Sequence, residues 1–276
     1  MKRNRCGGVG VEAGGESLIS SAGAALLLKS AQVSGLAREL SRVLRPWRAP
    51  RSIHDPGKTV LDLAVTIALG GDCLADAAVV RAQPELFGAV ASDPTISRLV
   101  DSLGDDSEAA IEAIRAARAA ARTTVWGHRV PVPSTGPVVV DLDATLIGAH
   151  SEKEGATPNF KRGFGFHPLL AFVDHGAGGT GEPLAGMLRP GRANANTAAD
   201  QIAVLDAALA QLPERMRERV LVRGDSGSGV QPLLWHITNL GLTYSVGFTA
   251  RQPVQDALAA LPKQAWRTAR ESSSRR

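Results

Sequence analysis

Apolar and charged residues recur at helical spacing through the first half of the chain, after a Gly-rich and aperiodic lead. The segments with this spacing are SSAGAALLLKSAQVSGLARELSRVL, GKTVLDLAVTIALGG, DCLADAAVVRA and DPTISRLVDSL. A longer helix is predicted from Ser107, as its N-cap, to about Ala121, because SEAAIEAIRAARAAA consists of strong helix formers. The sequence therefore predicts a flexible lead without a fold over residues 1–20 and an all-helical region over residues 21–130.

The periodicity changes to that of β-strands after PVPSTGP, the Pro- and Gly-bearing stretch at 131–137. The first predicted strand, VVVDLDATLIG, places Asp141 and Asp143 on one face because side chains two residues apart point the same way. Two apolar runs follow, GFGFHPLLAFVDH and EPLAGMLRP, on either side of the turn-rich HGAGGTGE. This pattern predicts a meander of three antiparallel strands.

The rest of the chain alternates between helical and strand patterns. A helix is predicted in NTAADQIAVLDAALAQL, a strand in RVLVRGDSG that ends at Asp225, a helix in GVQPLLWHITNL and a strand in LTYSVGFTA. The order β-β-β-α-β-α-β predicts an α/β fold with a mixed sheet, an RNase H-like catalytic core over 136–250. The segment 251–276 is predicted to be a helical or disordered tail.

Acidic residues occupy two key positions of this predicted sheet. In an RNase H-like order the first and fourth strands are neighbours at the centre, so Asp143 and Asp225 can converge. Two carboxylates held close together repel each other, and water or a divalent cation keeps both ionised. Oxygen ligands of this kind suit Mg²⁺ or Mn²⁺, and two such ions can activate an attacking oxygen and stabilise a leaving oxygen in phosphoryl transfer. The alternative is structural, since aspartates also cap strands and helices.

Composition and charge add only a weak preference for a partner. The formal charge of +4 and the sequence pI of about 9.4 favour a polyanion. Cys6 and Cys73 stand far apart without nearby ligand-spaced histidines, which predicts neither a disulfide nor a zinc site and fits a reducing cytoplasm. The sequence also predicts no signal peptide and no membrane span.

Three motifs resemble a known family in the same order along the chain: DLDATLIGAHSEKEGA, FKRGFGFHPLLAFVD and VLVRGDSG. They are similar to the group-1 DDE-domain transposases of bacterial insertion sequences, and the amino-terminal helical segments are similar to that family too. The resemblance implies a metal-dependent DNA transposase that acts as a homo-oligomer on transposon ends and target DNA, in the cytoplasm at the nucleoid. It also implies that the helical region over residues 21–130 binds the DNA ends. It also implies Mg²⁺ or Mn²⁺, with two ions in a complete site.

Carried over by position, the resemblance assigns the catalytic and metal-binding acids. The Asp-x-Thr element places the first catalytic aspartate at Asp143, with Asp141 as a possible additional residue, and the Arg-Gly-Asp element places the second at Asp225. The family's third acid, a glutamate, has no convincing counterpart here, because Glu271 lies in a polar Ser/Arg-rich tail. The expectation is a carboxy-terminally truncated chain that is catalytically incomplete alone.

Other interpretations use the same residues. The chain could be a non-catalytic DNA-binding fragment or an inhibitor of full-length transposase, or a decayed product with no role. A haloacid-dehalogenase-type phosphatase would use Asp141 as nucleophile and Asp143 as acid/base. The antiparallel strands and Ala144, where that motif usually has Gly, argue against it.

Basic residues offer candidate DNA contacts. Lys161 and Arg162, together with Arg129 and His128, could bind phosphates, and the alternative is an ordinary solvated surface. His150 and His167 are interpreted as structural, and DPTISRLVDSL as a packed helix rather than a DNA-recognition helix.

Overall fold

The computed structural model describes residues 4–6, 9–11, 23–128, 136–176 and 181–266. The chain divides into two compact units. The first unit comprises Met1–Val138, Asp174–Ala185 and Asp206–Arg219, and the second comprises Val139–Val173, Gly186–Leu205 and Val220–Arg276. The domain boundaries predicted from the sequence stay a prediction.

Helices make up most of the amino-terminal part, as the apolar spacing predicts. They are α1 Ala24–Val33, α2 Leu36–Val43, α3 Pro56–Ala68, α4 Ala77–Arg81, α5 Pro84–Phe87, α6 Asp93–Gly104 and α7 Ser107–His128. Gly35, at φ +81°, separates α1 from α2 within the first predicted segment. Two short antiparallel strands, β1 Asn4–Cys6 and β2 Val9–Val11, lie in the lead, for which the sequence predicts no element.

The long helix α7 differs from its prediction at both ends. Ser107 is its first residue rather than its N-cap, and the helix continues past Ala121 to His128. Threonine and valine in the last turns have only modest helix propensity. Trp126 is 2% exposed, so burial of this part of the helix outweighs the weak local preference.

The core of the first unit joins several helices. One cluster of buried residues consists of Ala24, Val65, Ala77, Val80, Phe87, Val90, Ala91 and Ile96. A close helix crossing borders it, because a Cβ at Gly57 would lie 2.2 Å from the backbone nitrogen of Ser41. Asp55 begins α3 by accepting the Lys58 backbone N–H at 2.8 Å and the Ser41 hydroxyl at 2.7 Å.

Strands dominate the chain after residue 136. They are β3 Val138–Ala144, β4 Ile147–Gly148, β5 Thr157–Pro158, β6 Phe164–Phe166, β7 Leu169–Val173, β8 Glu182–Met187, β9 Val220–Gly224 and β10 Thr243–Val246. The helices among and after them are α8 Ala198–Ala210, α9 Glu214–Arg217, α10 Gln231–Asn239 and α11 Gln252–Ala259. None of the helices in the described part of the chain is long and apolar enough to cross a membrane.

The main sheet is mixed and has the order β10-β9-β3-β7-β8. Strands β3 and β7 are antiparallel, with Asp143 opposite Leu170, whereas β9 and β10 are parallel. Alternate residues of β3 and β7 are buried, as are apolar residues of β9 and α10. The buried residues that support the second unit include Val140, Leu142, Leu169, Ala171, Val173, Val222, Leu233 and Ile237.

A second, smaller sheet interrupts the predicted meander. The run GFGFHPLLAFVDH, predicted as one strand, forms both β6 and β7, and β6 pairs with β4 and β5 in the order β4-β6-β5. Gly165 has φ +147°, and a Cβ there would lie 2.1 Å from the Ile147 carbonyl oxygen. Pro168, which cannot donate a ladder hydrogen bond, stands between the two strands.

Candidate active site

Asp143 lies near the end of β3, the central strand of the main sheet. The buried positions of β3 alternate along Val138, Val140 and Leu142, so the intervening side chains share the opposite face. Asp143 is exposed, whereas Leu142 beside it is 2% exposed. The strand therefore holds a water-accessible carboxylate on a rigid and buried backbone.

Asp225 directly follows β9 and begins a short 3-10 helix, Ser226–Ser228. Its side-chain Oδ1 accepts the Gly227 backbone N–H at 2.8 Å, which is the N-cap arrangement. The residue is exposed. One carboxylate oxygen thus fixes the orientation of the side chain, and the other is left for a ligand.

The two aspartates lie at the same end of neighbouring strands. The Val138 N–H donates to the Arg219 carbonyl at 2.8 Å, where β3 and β9 begin. Where they end, a Cβ placed on Gly224 would lie 3.6 Å from the Leu142 carbonyl oxygen. The strands are therefore parallel and in register. Asp143 follows Leu142 and Asp225 follows Gly224, so the two aspartates occupy equivalent positions on neighbouring strands. Neighbouring strands lie about 4.8 Å apart.

Asp141 lies two residues before Asp143, on the same face of β3, but its environment is different. The Arg223 guanidinium donates to it twice, Nε to Oδ1 at 2.5 Å and Nη2 to Oδ2 at 2.8 Å. Such a two-pronged ion pair neutralises the carboxylate and occupies both oxygens. In the described part of the chain no basic side chain forms an ion pair with Asp143 or Asp225.

Gln201 supports the turn that carries Asp225. It lies in α8, is 1% exposed, and its Nε2 donates to the Gly227 carbonyl at 3.0 Å and the Ala195 carbonyl at 2.7 Å. Gly224 is closely approached as well, because a Cβ there would lie 2.5 Å from the Ser228 side chain. The turn after β9 is therefore held by buried polar contacts.

The two histidines interpreted as structural make structural contacts. His167 is 3% exposed, and its Nδ1 lies 2.8 Å from the Ala193 carbonyl oxygen. Its backbone carbonyl accepts from Arg189 Nε at 3.0 Å. His150 stacks on Phe164, with ring centroids 5.4 Å apart.

The candidate DNA contacts fall in separate segments. Lys161 and Arg162 are both exposed in the turn between β5 and β6. His128 ends α7, and Arg129 lies outside the described residues, as does Glu271.

A cluster of potential metal ligands in the first unit has a structural explanation. Asp72, Cys73 and Asp76 place ligand atoms within 4.8 Å of one another. Asp76 Oδ2 accepts the backbone N–H groups of Asp72 and Cys73 at 2.9 and 3.0 Å, and these hydrogen bonds lower the pKa of Asp76. The carboxylate is thus engaged in capping a 3-10 turn, Leu74–Asp76.

Comparison with known proteins agrees with the resemblance carried by the motifs. The family model described as transposase DDE domain group 1 matches residues 3–276. A search of curated proteins finds no match. Because the family model spans both the helical part and the sheet with its two unpaired aspartates, this chain belongs to group 1 of the transposase DDE domain family.

Proposed function

We propose that this chain is a transposase of an insertion sequence, in which Asp143 and Asp225 supply two of the three acids for metal-dependent cleavage and strand transfer of the element's DNA ends. The third acid of the family, a glutamate, is not among the residues assigned here, so the chain is expected to be inactive alone. The observation that carries the proposal is the contrast among neighbouring acids. Arg223 neutralises Asp141. Asp143 and Asp225 are exposed at the same end of neighbouring strands, and among the described residues neither has an ion-pair partner. The protein would work at the nucleoid in the cytoplasm, as a homo-oligomer on transposon ends and target DNA.

The strand order supports an RNase H-like core for this activity. The first three strands of the main sheet along the chain are β3, β7 and β8, which lie in that order from the centre to one edge. The last two, β9 and β10, lie on the other side of β3. This corresponds to the order β-β-β-α-β-α-β, with the first and fourth strands adjacent. The carboxylates on those two strands are therefore the pair that such a sheet brings together.

The donor set fits a divalent cation. Asp143 and Asp225 would hold Mg²⁺ or Mn²⁺, since both are hard oxygen ligands that water can reach. When bound, two ions would supply an activated attacking oxygen and charge stabilisation for the leaving oxygen of a phosphodiester. The mutual repulsion of two close carboxylates would be relieved by the same cations.

The chain's own residues orient this pair. The Gly227 N–H holds Oδ1 of Asp225, which restricts the orientation of the carboxylate. The Arg223–Asp141 pair removes a third negative charge from the same face of the sheet. This leaves a site with the net charge of two carboxylates rather than three, which lowers the repulsion that a phosphate would meet there.

The phosphatase alternative is less well supported. Asp141 would have to act as a free nucleophile, yet both its oxygens accept hydrogen bonds from Arg223. Its attack on a phosphate would require that ion pair to open first. The non-catalytic DNA-binding alternative predicts binding without cleavage, and the same experiment separates it.

The test is cleavage of labelled duplexes that carry the element's ends, with Mg²⁺ or Mn²⁺, by this chain and by a form joined to the family's glutamate-bearing region. Cleavage is expected from the joined form, in which the site variants are compared. Asp143→Asn and Asp225→Asn are each expected to lower the rate at least about a hundredfold, because metal charge stabilisation contributes several kcal/mol. Asparagine still caps the turn at 225, so this variant should fold like the parent.

Asp141→Asn is the matched control, because it removes a neighbouring carboxylate that is paired with Arg223. Its effect is expected to be well below that of Asp143→Asn. Equal cleavage by the joined form and both its site variants would refute the assignment. Binding without cleavage by the joined form under every metal condition would favour the non-catalytic alternative.

A further inference from the structure

The turn between β5 and β6 carries an exposed aromatic side chain beside two cations. Phe160 is 71% exposed, and Lys161 and Arg162 are exposed too. The Lys161 Nζ lies 5.8 Å from the centroid of the Phe160 ring. We call Phe160, Lys161 and Arg162 the hairpin tip. It presents a flat apolar ring and two positive charges on one short segment.

The backbone of the turn is held in place by its own residues. The Asn159 side-chain Oδ1 accepts the N–H groups of Lys161 and Gly163, both at 3.0 Å, and the Asn159 N–H donates to the Gly163 carbonyl at 2.9 Å. Arg162 adopts a left-handed conformation, with φ 62°, which is uncommon for arginine. The hairpin tip is therefore ordered before any partner binds, which lowers the entropy cost of binding.

The ring of Phe160 has only limited support from the protein. Its one recorded ring neighbour is His167, with centroids 5.8 Å apart at a tilted angle. A ring that is 71% exposed still has a face open to solvent. A planar ring with adjacent cations matches how proteins hold unpaired nucleotides, in which a base stacks on an aromatic face and Lys or Arg contacts the backbone.

The hairpin tip lies near the strand that carries Asp143. His167, which the Phe160 ring contacts, precedes Leu170 by three residues, and Leu170 pairs with Asp143 across β3 and β7. The chain from His167 to Leu170 spans at most about 10 Å. A bound strand rises by about 3.4 Å per nucleotide, so DNA held at Asp143 needs only a few nucleotides to reach this turn.

We propose that the hairpin tip binds an unpaired DNA base close to the cleaved bond, with Phe160 stacked on the base and Lys161 and Arg162 at the flanking phosphates. Bases inside a duplex are covered by their neighbours, so the ring can stack only where a strand end or an opened pair exposes a base face. The inference rests on the proposed function for the identity of the partner as DNA. It adds a preference for single-stranded over fully paired DNA near the site.

The test is equilibrium binding in EDTA, where no cleavage occurs, of a fluorescent single-stranded oligonucleotide of mixed sequence and of its blunt duplex. Phe160→Ala should weaken single-strand binding between about fivefold and about a hundredfold, the range found for one base stacked on an aromatic ring. Phe160→Trp should retain it. Binding of the blunt duplex should change much less.

The matched control is Trp235→Ala, which removes an aromatic side chain that is 60% exposed on α10. It should leave single-strand binding unchanged.

Two charge variants complete the set. Lys161→Ala and Arg162→Asn should each reduce the salt dependence of binding by about one phosphate contact. Asparagine is chosen at 162 because it tolerates the left-handed conformation.

The outcomes distinguish the two proposals. If the joined form cuts DNA in an Asp143-dependent way but Phe160→Ala binds single strands as well as the parent does, the inference about the hairpin tip fails alone. If Phe160 governs single-strand binding and the joined form does not cut DNA, the inference stands and the proposed catalysis fails. Failure of the parent chain to bind any DNA overturns both. An equal loss with Trp235→Ala, or a change in self-association with Phe160→Ala, also overturns the inference.

Discussion

Arg122 in the first unit and the two aspartates Asp143 and Asp225 in the second use their charge in opposite ways. In the first unit Arg122 is 5% exposed and is surrounded by acceptors. Its Nε donates to Glu182 at 2.5 Å, its Nη1 to the Gln211 carbonyl and side chain at 3.2 Å, and its Nη2 to the Pro183 carbonyl at 3.2 Å. In the second unit Asp143 and Asp225 stay exposed, and no described basic side chain pairs with them.

This difference shows where charge serves the fold and where it is available to a ligand. A buried guanidinium without acceptors would be very costly, so Arg122 is stable only because each of its nitrogens has a partner. An exposed carboxylate loses little hydration, so the fold has no need to pair Asp143. The paired charges hold elements together, while the unpaired ones remain free to bind a cation.

The largest expected effect comes from breaking the buried set of contacts. Arg122→Met keeps a long apolar stem but removes every donor. The Gln211 carbonyl and side chain lose their partner, and Glu182 loses its arginine, although Arg118 still donates to the Pro183 carbonyl and His175 still contacts Glu182. We expect the free energy of unfolding to fall by about 3–5 kcal/mol, the usual cost of breaking a buried ion pair. Urea unfolding followed by circular dichroism measures it.

The control removes an arginine whose charge is exposed. Arg38 pairs with Glu39 at 3.2 Å, but its side chain is 78% exposed. Arg38→Met should therefore cost less than about 1 kcal/mol. Similar losses in the two variants would mean that the burial of Arg122 does not matter, and the comparison between the two units would lose its basis.

A second prediction concerns the turn that holds Asp225. Gln201→Met removes the donor to the Gly227 and Ala195 carbonyls while nearly preserving side-chain length. The buried Gly227 carbonyl and the half-buried Ala195 carbonyl then lack this donor, so we expect a loss of about 1–3 kcal/mol in the free energy of unfolding. Because the Gly227 N–H also donates to Asp225 Oδ1, we expect Mn²⁺ to stabilise this variant less than the parent in thermal unfolding.

Gln255→Met is the control for that change. Gln255 Nε2 also donates to a backbone carbonyl, that of Ala250 at 2.8 Å, but on the exposed surface. Its loss should alter stability by less than about 0.5 kcal/mol and leave the Mn²⁺ response unchanged. An undiminished Mn²⁺ response in Gln201→Met would show that Gln201 supports the fold without positioning Asp225.

Much of the fold follows from apolar periodicity. The helices of the amino-terminal part and the strand that precedes Asp225 are at or close to their predicted positions, because each has a clear period and turn residues at its ends. The strand of Asp143, predicted as VVVDLDATLIG, ends at Ala144, and Ile147–Gly148 forms β4 of the smaller sheet. The small sheet β4-β6-β5 was missed. Its strands are very short, and the close approach of β4 to β6 requires Gly165, whose backbone packs against Ile147 in a way that no periodicity reveals.

The candidate site was only partly predictable. Asp141 and Arg223 each stand two residues before a predicted catalytic aspartate on adjacent parallel strands, so the register could have indicated their ion pair. Gln201 gave no such signal. It lies in an amphipathic helix far along the chain from Gly227, and only the folded structure brings its amide to that carbonyl.

The smallest expected effect is that of Asp62→Asn, which tests whether a buried carboxylate in the first unit lowers the free energy of unfolding. Asp62 is 3% exposed in α3, and its Oδ2 accepts from Lys58 Nζ at 2.6 Å. Burial raises the pKa of Asp62, although the hydrogen bond from Lys58, the charge of Lys58 and the charge of His54 oppose this rise. The folded chain therefore binds the Asp62 proton more tightly than the unfolded chain does.

It follows that the contribution of Asp62 to stability is greatest below the usual carboxyl pKa and is lost as the pH rises through the raised value. Asp62→Asn mimics the protonated form at every pH. We expect the variant to be slightly more stable than the parent at neutral pH, and this advantage to fade as the pH falls below the ordinary range of an aspartate. The urea midpoints of both proteins across that pH range measure the difference in stability. The contributions of the other titrating groups cancel in this difference, because both proteins contain them. A variant that is less stable at neutral pH would mean that the ion pair with Lys58 outweighs the burial of Asp62, and that the first unit gains stability even from this charge.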